Sequence, residues 1–167
     1  ACSILPWNYN YEVPKTIDKI LTCKKMKYEG QDVMKVSLQF PEGLLLHSTL
    51  IADIISKFCK VECLILGDVT YGACCVDDLA SKQLGCDFIV HYGHSCLVAI
   101  PDLAIKNALY VFVEIKFDID LFVESVSKNF KKEQAIYLMG IIQFNASLLL
   151  AKAMMEKQRG FTNVHLP

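Results

Sequence analysis

The stretch Val61-Glu62-Cys63-Leu64-Ile65-Leu66-Gly67-Asp68-Val69-Thr70-Tyr71-Gly72-Ala73-Cys74-Cys75-Val76-Asp77-Asp78 decides the fold. Its apolar opening, Val61–Leu66, reads as a buried strand, Gly67 through Cys75 as a loop, and Val76–Leu84 as a helix stopped by Gly85. The pattern recurs at once. Phe88–Tyr92 reads as a strand whose end runs into His91-Tyr92-Gly93-His94-Ser95-Cys96. With Cys86, four thiols and two imidazoles thus lie in or near two neighbouring strand-end loops. Soft sulfur and nitrogen donors at the ends of adjacent strands are what a metal or cluster site requires.

Outward from this stretch the alternation continues. Thr16–Met26 places Ile17, Ile20 and Leu21 at helical spacing. Val33–Phe40 is strand-like, with Val36, Leu38 and Phe40 on one face. Gly43–Phe58 reads as one helix, with Leu44, Leu45, Thr49, Ala52, Ile55 and Phe58 toward the core. Further strands are predicted at Leu109–Ile115, Ala135–Ile142 and Val164–Leu166, and helices at Leu121–Phe130 and Ala146–Lys157. Strands alternating with helices predict an α/β fold: a mostly parallel sheet with helices on both faces, a Rossmann-like three-layer domain. No internal repeat is visible. Residues 1–167 read as a single α/β domain. In such a sheet, ligands bind at the carboxyl ends of the strands. The polar residues gather there: Gln39-Phe40-Pro41-Glu42-Gly43, the Asp68–Cys75 loop, and His91 through Cys96.

Composition narrows the function classes. Of the 167 residues 53% are apolar, and the net charge of −1 is mixed in sign along the chain. That gives no basic footprint for nucleic acid. No run approaches the ~18 apolar residues of a membrane span. Eight cysteines in a secreted chain would suggest disulfides. Here no secretory signal is visible and several cysteines sit in apolar segments, so a reducing cytoplasm is the better reading. Gly67-x-x-x-x-Gly72 has phosphate-loop spacing, but Ala73-Cys74 stands where Lys and Ser/Thr would be needed. Cys23, Cys59 and Cys63 read as small hydrophobes of the core. Cys74 and Cys75 lie just before a helix, where the dipole favours a thiolate; two structural thiols is the competing reading. No CxxC or CxxxCxxC occurs, so a self-contained zinc or ferredoxin-type site is unsupported.

Three segments carry a resemblance: Leu38-Gln39-Phe40-Pro41-Glu42-Gly43-Leu44-Leu45, Gly67 through Asp78, and Val90-His91-Tyr92-Gly93-His94-Ser95-Cys96-Leu97. On these the chain resembles the diphthamide biosynthesis enzymes, on the side of the first-step eukaryotic subunit. The resemblance implies three similar α/β domains, each giving one cysteine to a [4Fe–4S] cluster, with S-adenosylmethionine as substrate. It implies transfer of a 3-amino-3-carboxypropyl group to a histidine of translation elongation factor 2. It further implies a paralogous second subunit and a small iron-binding electron donor protein. The Tyr-Gly-Ala-Cys motif maps the first-domain cluster ligand to Cys74. Cys75 matches the pattern without being the expected ligand, and His91, His94 and Cys96 match with no role carried over. Pro101 falls later after Cys96 than the family pattern expects. The chain starts at Ala1 and stops at Pro167, and two of the three cluster cysteines are not in it. It therefore reads as the first domain of a longer protein, with the fragment alone unable to hold the cluster. Two other classes stay open: a docking subunit with purely structural cysteines, and an independent small-molecule domain.

Overall fold

The computed structural model describes residues 5–27, 33–67, 75–94 and 98–167. In chain order the elements are β1 (Tyr9–Asn10), α1 (Val13–Lys27), β2 (Lys35–Gln39), a 3-10 helix (Glu42–His47), α2 (Ser48–Cys59), β3 (Glu62–Leu66) and α3 (Asp78–Gln83). There follow β4 (Phe88–Tyr92), a 3-10 turn (Ile100–Asp102), β5 (Ala108–Val111), β6 (Glu114–Ile115) and α4 (Ile119–Asn129). The chain then runs through β7 (Ile136–Tyr137), a 3-10 turn (Ile142–Phe144), α5 (Asn145–Arg159) and β8 (Val164–His165). These elements fall into two compact units: Ala1–Pro6 with Tyr11–Val113, and Trp7–Asn10 with Glu114–Pro167.

The first unit is built on a parallel sheet of order β3-β2-β4-β5. Its strands are short apolar runs. All five residues of β4 are buried although they alternate between the two faces, so both faces are covered. From β2 the chain crosses by α2 to β3 on one side, then by α3 back past β2 to β4 on the other. Right-handed crossovers in opposite directions put α2 and α3 on opposite faces. The α/β fold expected from the sequence is thereby found. The reversal of strand order opens a crevice between the carboxyl ends of β2 and β4.

The helix predicted over Gly43–Phe58 is two helices. Pro41, in extended conformation, starts the 3-10 helix, and Ser48 Oγ donates to Leu45 O at 2.7 Å where α2 begins. A 3-10 segment has about 3.0 residues per turn against about 3.6 in an α-helix, so the buried face is re-phased. Ser48, Ile51, Ala52, Ile55 and Cys59 face inward, whereas Thr49 is exposed and Phe58 is 65% exposed. Lys24 Nζ, from α1, donates to the carbonyls of Cys59 and Lys60 at the end of α2, where a cation is favoured.

The strand predicted over Leu109–Ile115 breaks between β5 and β6. Val113 there is buried and left-handed, φ 55°, a conformation that costs a β-branched residue on the order of 1–3 kcal/mol. In the second unit β6 pairs antiparallel with β1, which periodicity did not reveal. Here α4 and α5 enclose a small core of Val123, Leu148, Ala151 and Met155. Asp118 caps α4, accepting from Leu121 N at 2.9 Å. The strand predicted over Ala135–Ile142 is reduced to β7, paired in parallel with β8. Ile141 and Ile142, assigned to the core by the sequence, are exposed.

Leu38 is wholly buried in the centre of β2, so Leu38→Ala should destabilise the chain by about 2–5 kcal/mol in urea denaturation. Phe58→Ala should stay within about 0.5 kcal/mol. A large loss for Phe58→Ala would restore the continuous-helix reading.

Candidate functional site

Beneath the carboxyl edge of the sheet, the side chains at the ends of β2 and β4 are packed together and buried. Phe40 and Tyr92 stack there, centroids 4.3 Å apart and planes at 6°. Tyr11 lies against Tyr92 at 6.4 Å, and its hydroxyl is hydrogen-bonded to His47 Nδ1 at 2.8 Å. Immediately beyond, Gly93 has φ +93°, and a Cβ on it would sit 2.9 Å from Pro41 Cγ. The chain leaving β4 therefore passes against the chain leaving β2 more closely than any side chain permits.

Gln39 is the organising residue of this edge. It ends β2, is 1% exposed, and uses both ends of its amide. Its Nε2 donates to Cys75 O at 2.7 Å, and its Oε1 accepts from Asp77 N at 3.0 Å. The segment that follows Cys74 is thus fastened to the central strand. Asp77 then caps α3, accepting from Ala80 N at 3.1 Å, and Asp78 accepts from the backbone N–H of Ala104. The two aspartates are explained as a cap and a loop tie.

Of the residues singled out from the sequence, Cys74 and Cys96 lie outside the described residues. Cys75 is half-buried and lines a cleft of about 570 Å³, together with Val76, Asp78, Lys82, Asp102 and Lys106. His94 is half-buried beside Gly93. His91 is buried within β4 and meets Tyr110 edge-on, centroids 5.7 Å apart. Its ring thus belongs to the packing of the sheet. Among the described residues no group of three or more His, Cys, Asp or Glu is placed to hold a metal ion. Periodicity overlooked Gln39, which was visible only as a polar residue closing an apolar strand.

The remaining thiols are set apart chemically. Cys59 and Cys86 are buried and Cys63 half-buried. Burial raises all three above the ordinary 9.0. Neighbouring Cys63 adds to the rise at Cys59, and Asp53 to that at Cys63. Burial also pushes the Tyr92 phenol upward. Cys63, assigned to the core by the sequence, reaches only half-burial, on β3 at the sheet margin.

Residues 40–167 match the family described as diphthamide synthesis protein. The chain is 48% identical over 167 residues to 2-(3-amino-3-carboxypropyl)histidine synthase subunit 1 of Dictyostelium discoideum, covering 100% of this chain and 33% of that one. It is 48% identical over 148 residues to the protein of the same name from Saccharomyces cerevisiae, covering 89% of this chain and 33% of that one. Dph2 from Pyrococcus horikoshii, solved with a 4Fe-4S cluster, superposes with a TM-score of 0.70 at 23% identity, over 93% of this chain and 42% of that one. That likeness is one of fold. The chain spans about a third of the length of the curated relatives it matches.

Two outcomes follow from the site. Gln39→Ala leaves the Cys75 carbonyl and the Asp77 N–H without their partner, so it should cost about 1–3 kcal/mol and speed amide exchange at Asp77. An Asp77 amide that exchanges as slowly as in the parent would remove the clamp from the account. For the thiols the sign is fixed. A folded value above 9.0 gives stability that is complete below pH 9.0 and lost as pH rises through the raised values. Cys59→Ala/Cys86→Ala should lower the urea midpoint near pH 7 yet flatten its decline toward about pH 10.

Proposed function

The chain belongs to the diphthamide synthesis family, and on that premise we propose that it is the amino-terminal part of a 3-amino-3-carboxypropyl transferase subunit. The donor is S-adenosylmethionine and the acceptor a histidine of translation elongation factor 2, the first step of diphthamide formation. The observation that carries this reading is the Gln39 clamp. It fixes the backbone that directly follows the Tyr71-Gly72-Ala73-Cys74 motif at the carboxyl edge of a parallel sheet.

Cys74 is the residue of this chain that would donate a thiolate to a [4Fe–4S] cluster. Such a cluster, when bound, would supply the electron for cleaving the bond between the sulfonium sulfur of the donor and its aminocarboxypropyl carbon. The chain's own part is positioning. Gln39 holds the chain after the ligand, the Phe40–Tyr92 stack packs the two strand ends together, and Gly93 lets the chain leaving β4 pass beside Pro41. One cysteine cannot satisfy a cluster that takes one protein ligand on each of three irons. The other two would come from parts of the parent beyond the first unit's sheet. The paralogous subunit, the small iron-binding electron donor and a cytoplasmic setting complete the proposal.

The test uses the full-length parent, co-expressed with its partner subunit and kept anaerobic. Cys74→Ala should abolish clean cluster assembly, read as iron content and visible absorbance. Cys75→Ala should keep the cluster, because Cys75 lines the cleft beside Lys82 and Lys106, and Cys59→Ala should cost stability alone. Residues 1–167 by themselves should neither hold four irons nor transfer the group. Loss of iron in Cys75→Ala but not in Cys74→Ala would reassign the ligand. Retention in both would make this a docking subunit.

A further inference from the structure

The first sheet ends in β3, which has β2 on one side and no strand on the other among the described residues. Its main chain turns alternate groups to the two sides. Glu62 N–H donates to Met34 O at 3.0 Å, and the register from Lys35↔Glu62 to Gln39↔Leu66 carries that pattern along the strand. Glu62, Leu64 and Leu66 therefore bond to β2, while the N–H and C=O of Cys63 and Ile65 point outward. Neither residue has a main-chain partner on that side among the described residues. Unpaired edges are ordinarily guarded by a lysine, a proline or a bulge, or are kept very short. β3 runs for five residues, Glu62-Cys63-Leu64-Ile65-Leu66, unbroken in its pairing with β2. Its one charge stands at the start, where Glu62 Oε2 lies 3.9 Å from Lys35 Nζ.

The edge is complementary to itself. Cys63 and Ile65 stand two apart, the spacing at which antiparallel strands exchange pairs of hydrogen bonds. A twofold axis at Leu64 sets Cys63 opposite Ile65 of a second copy, and Ile65 opposite the second copy's Cys63. Every outward N–H and C=O of the two residues then meets a partner. The side chains agree with this register. Leu64 meets Leu64 on the face it shares with Ile89, and each Glu62 faces a Leu66, so no like charges are opposed. Cys63 through Leu66 are apolar and only half-buried, so all four have surface left to cover. A net charge of −1 leaves little repulsion between two chains.

We propose that the outer edge of β3 is a docking edge for a second copy of this chain, paired antiparallel about Leu64 so that two four-stranded sheets join into one. A strand is the occupant the edge requires, because extended backbone is what meets a row of N–H and C=O groups at this spacing. The strand is that of a second copy because the same five residues supply both the hydrogen-bonding groups and the apolar match. Pairing runs along the side of the sheet and uses neither Gln39 nor the other residues at the strand ends. It requires neither the cluster nor the transfer reaction, so its failure and that of the proposed function are separable.

Amide hydrogen exchange of the chain in dilute and in concentrated solution tests it. The Leu64 amide, bonded to β2, should exchange slowly in both. Those of Cys63 and Ile65 should exchange nearly freely when dilute and slow by about tenfold or more when concentrated, in step with a doubling of mass in sedimentation. Rates at Cys63 and Ile65 that do not change with concentration would overturn the proposal, whether or not a dimer forms. Leu64→Cys gives an independent reading. Opposed residues outside the hydrogen-bonded pairs stand about 4.5 Å apart at Cα, within disulfide range, so oxidised glutathione should link this variant into a covalent dimer through residue 64. In the unaltered chain Cys63 meets its counterpart only on a diagonal, about 7–8 Å away, and should stay unlinked. A variant that does not link at residue 64, or an unaltered chain that links equally well, would overturn the twofold pairing.

Discussion

The carboxyl edge of the first sheet depends on β2 being paired along both of its sides. A strand hydrogen-bonded by β3 and β4 and covered on both faces has no slack, so whatever stands at its end is held in place. Gln39 stands there. A buried amide is costly unless satisfied, and its two partners are backbone groups of the incoming loop. Sheet rigidity is thus passed to the stretch behind Cys74 through two hydrogen bonds. The Phe40–Tyr92 stack and the close approach of Gly93 to Pro41 hold the ends of β2 and β4 against each other.

Much of this was legible in the sequence because it follows from burial. β2 alternates Val36 and Leu38 with polar residues, β3 and β4 are mostly apolar, and each was found within a residue or two of its expected bounds. Placement of the polar residues at one edge followed from the alternation of strands and helices. What could not be read depends on partners or on local geometry. Phe58 was misassigned because nothing in Gly43–Phe58 announces the change from 3-10 to α-helix. The break before β6 was missed because Val113 is a strand-former held in a left-handed turn by its surroundings. β1 has two residues and exists only through its pairing with β6. His91 looked like a donor because of its neighbours in sequence, yet strand alternation carries it into the sheet.

The two units make a related point about sequence and shape. β2 is paired along both edges, whereas β7 is paired along one edge among the described residues. Their difference in exposure is a difference in neighbours rather than in intrinsic preference, as strand formation generally is. The expected strand over Ala135–Ile142 is found only as Ile136–Tyr137, paired with β8.

The raised thiols of Cys59, Cys63 and Cys86 bear on which of the chain's sulfurs are reactive. Thiol chemistry runs through the thiolate, and a protonated thiol must first surrender its proton. Burial makes that surrender unfavourable at these three positions. Reactivity among cysteines is in this way graded by the fold through proton affinity, whatever their spacing along the chain.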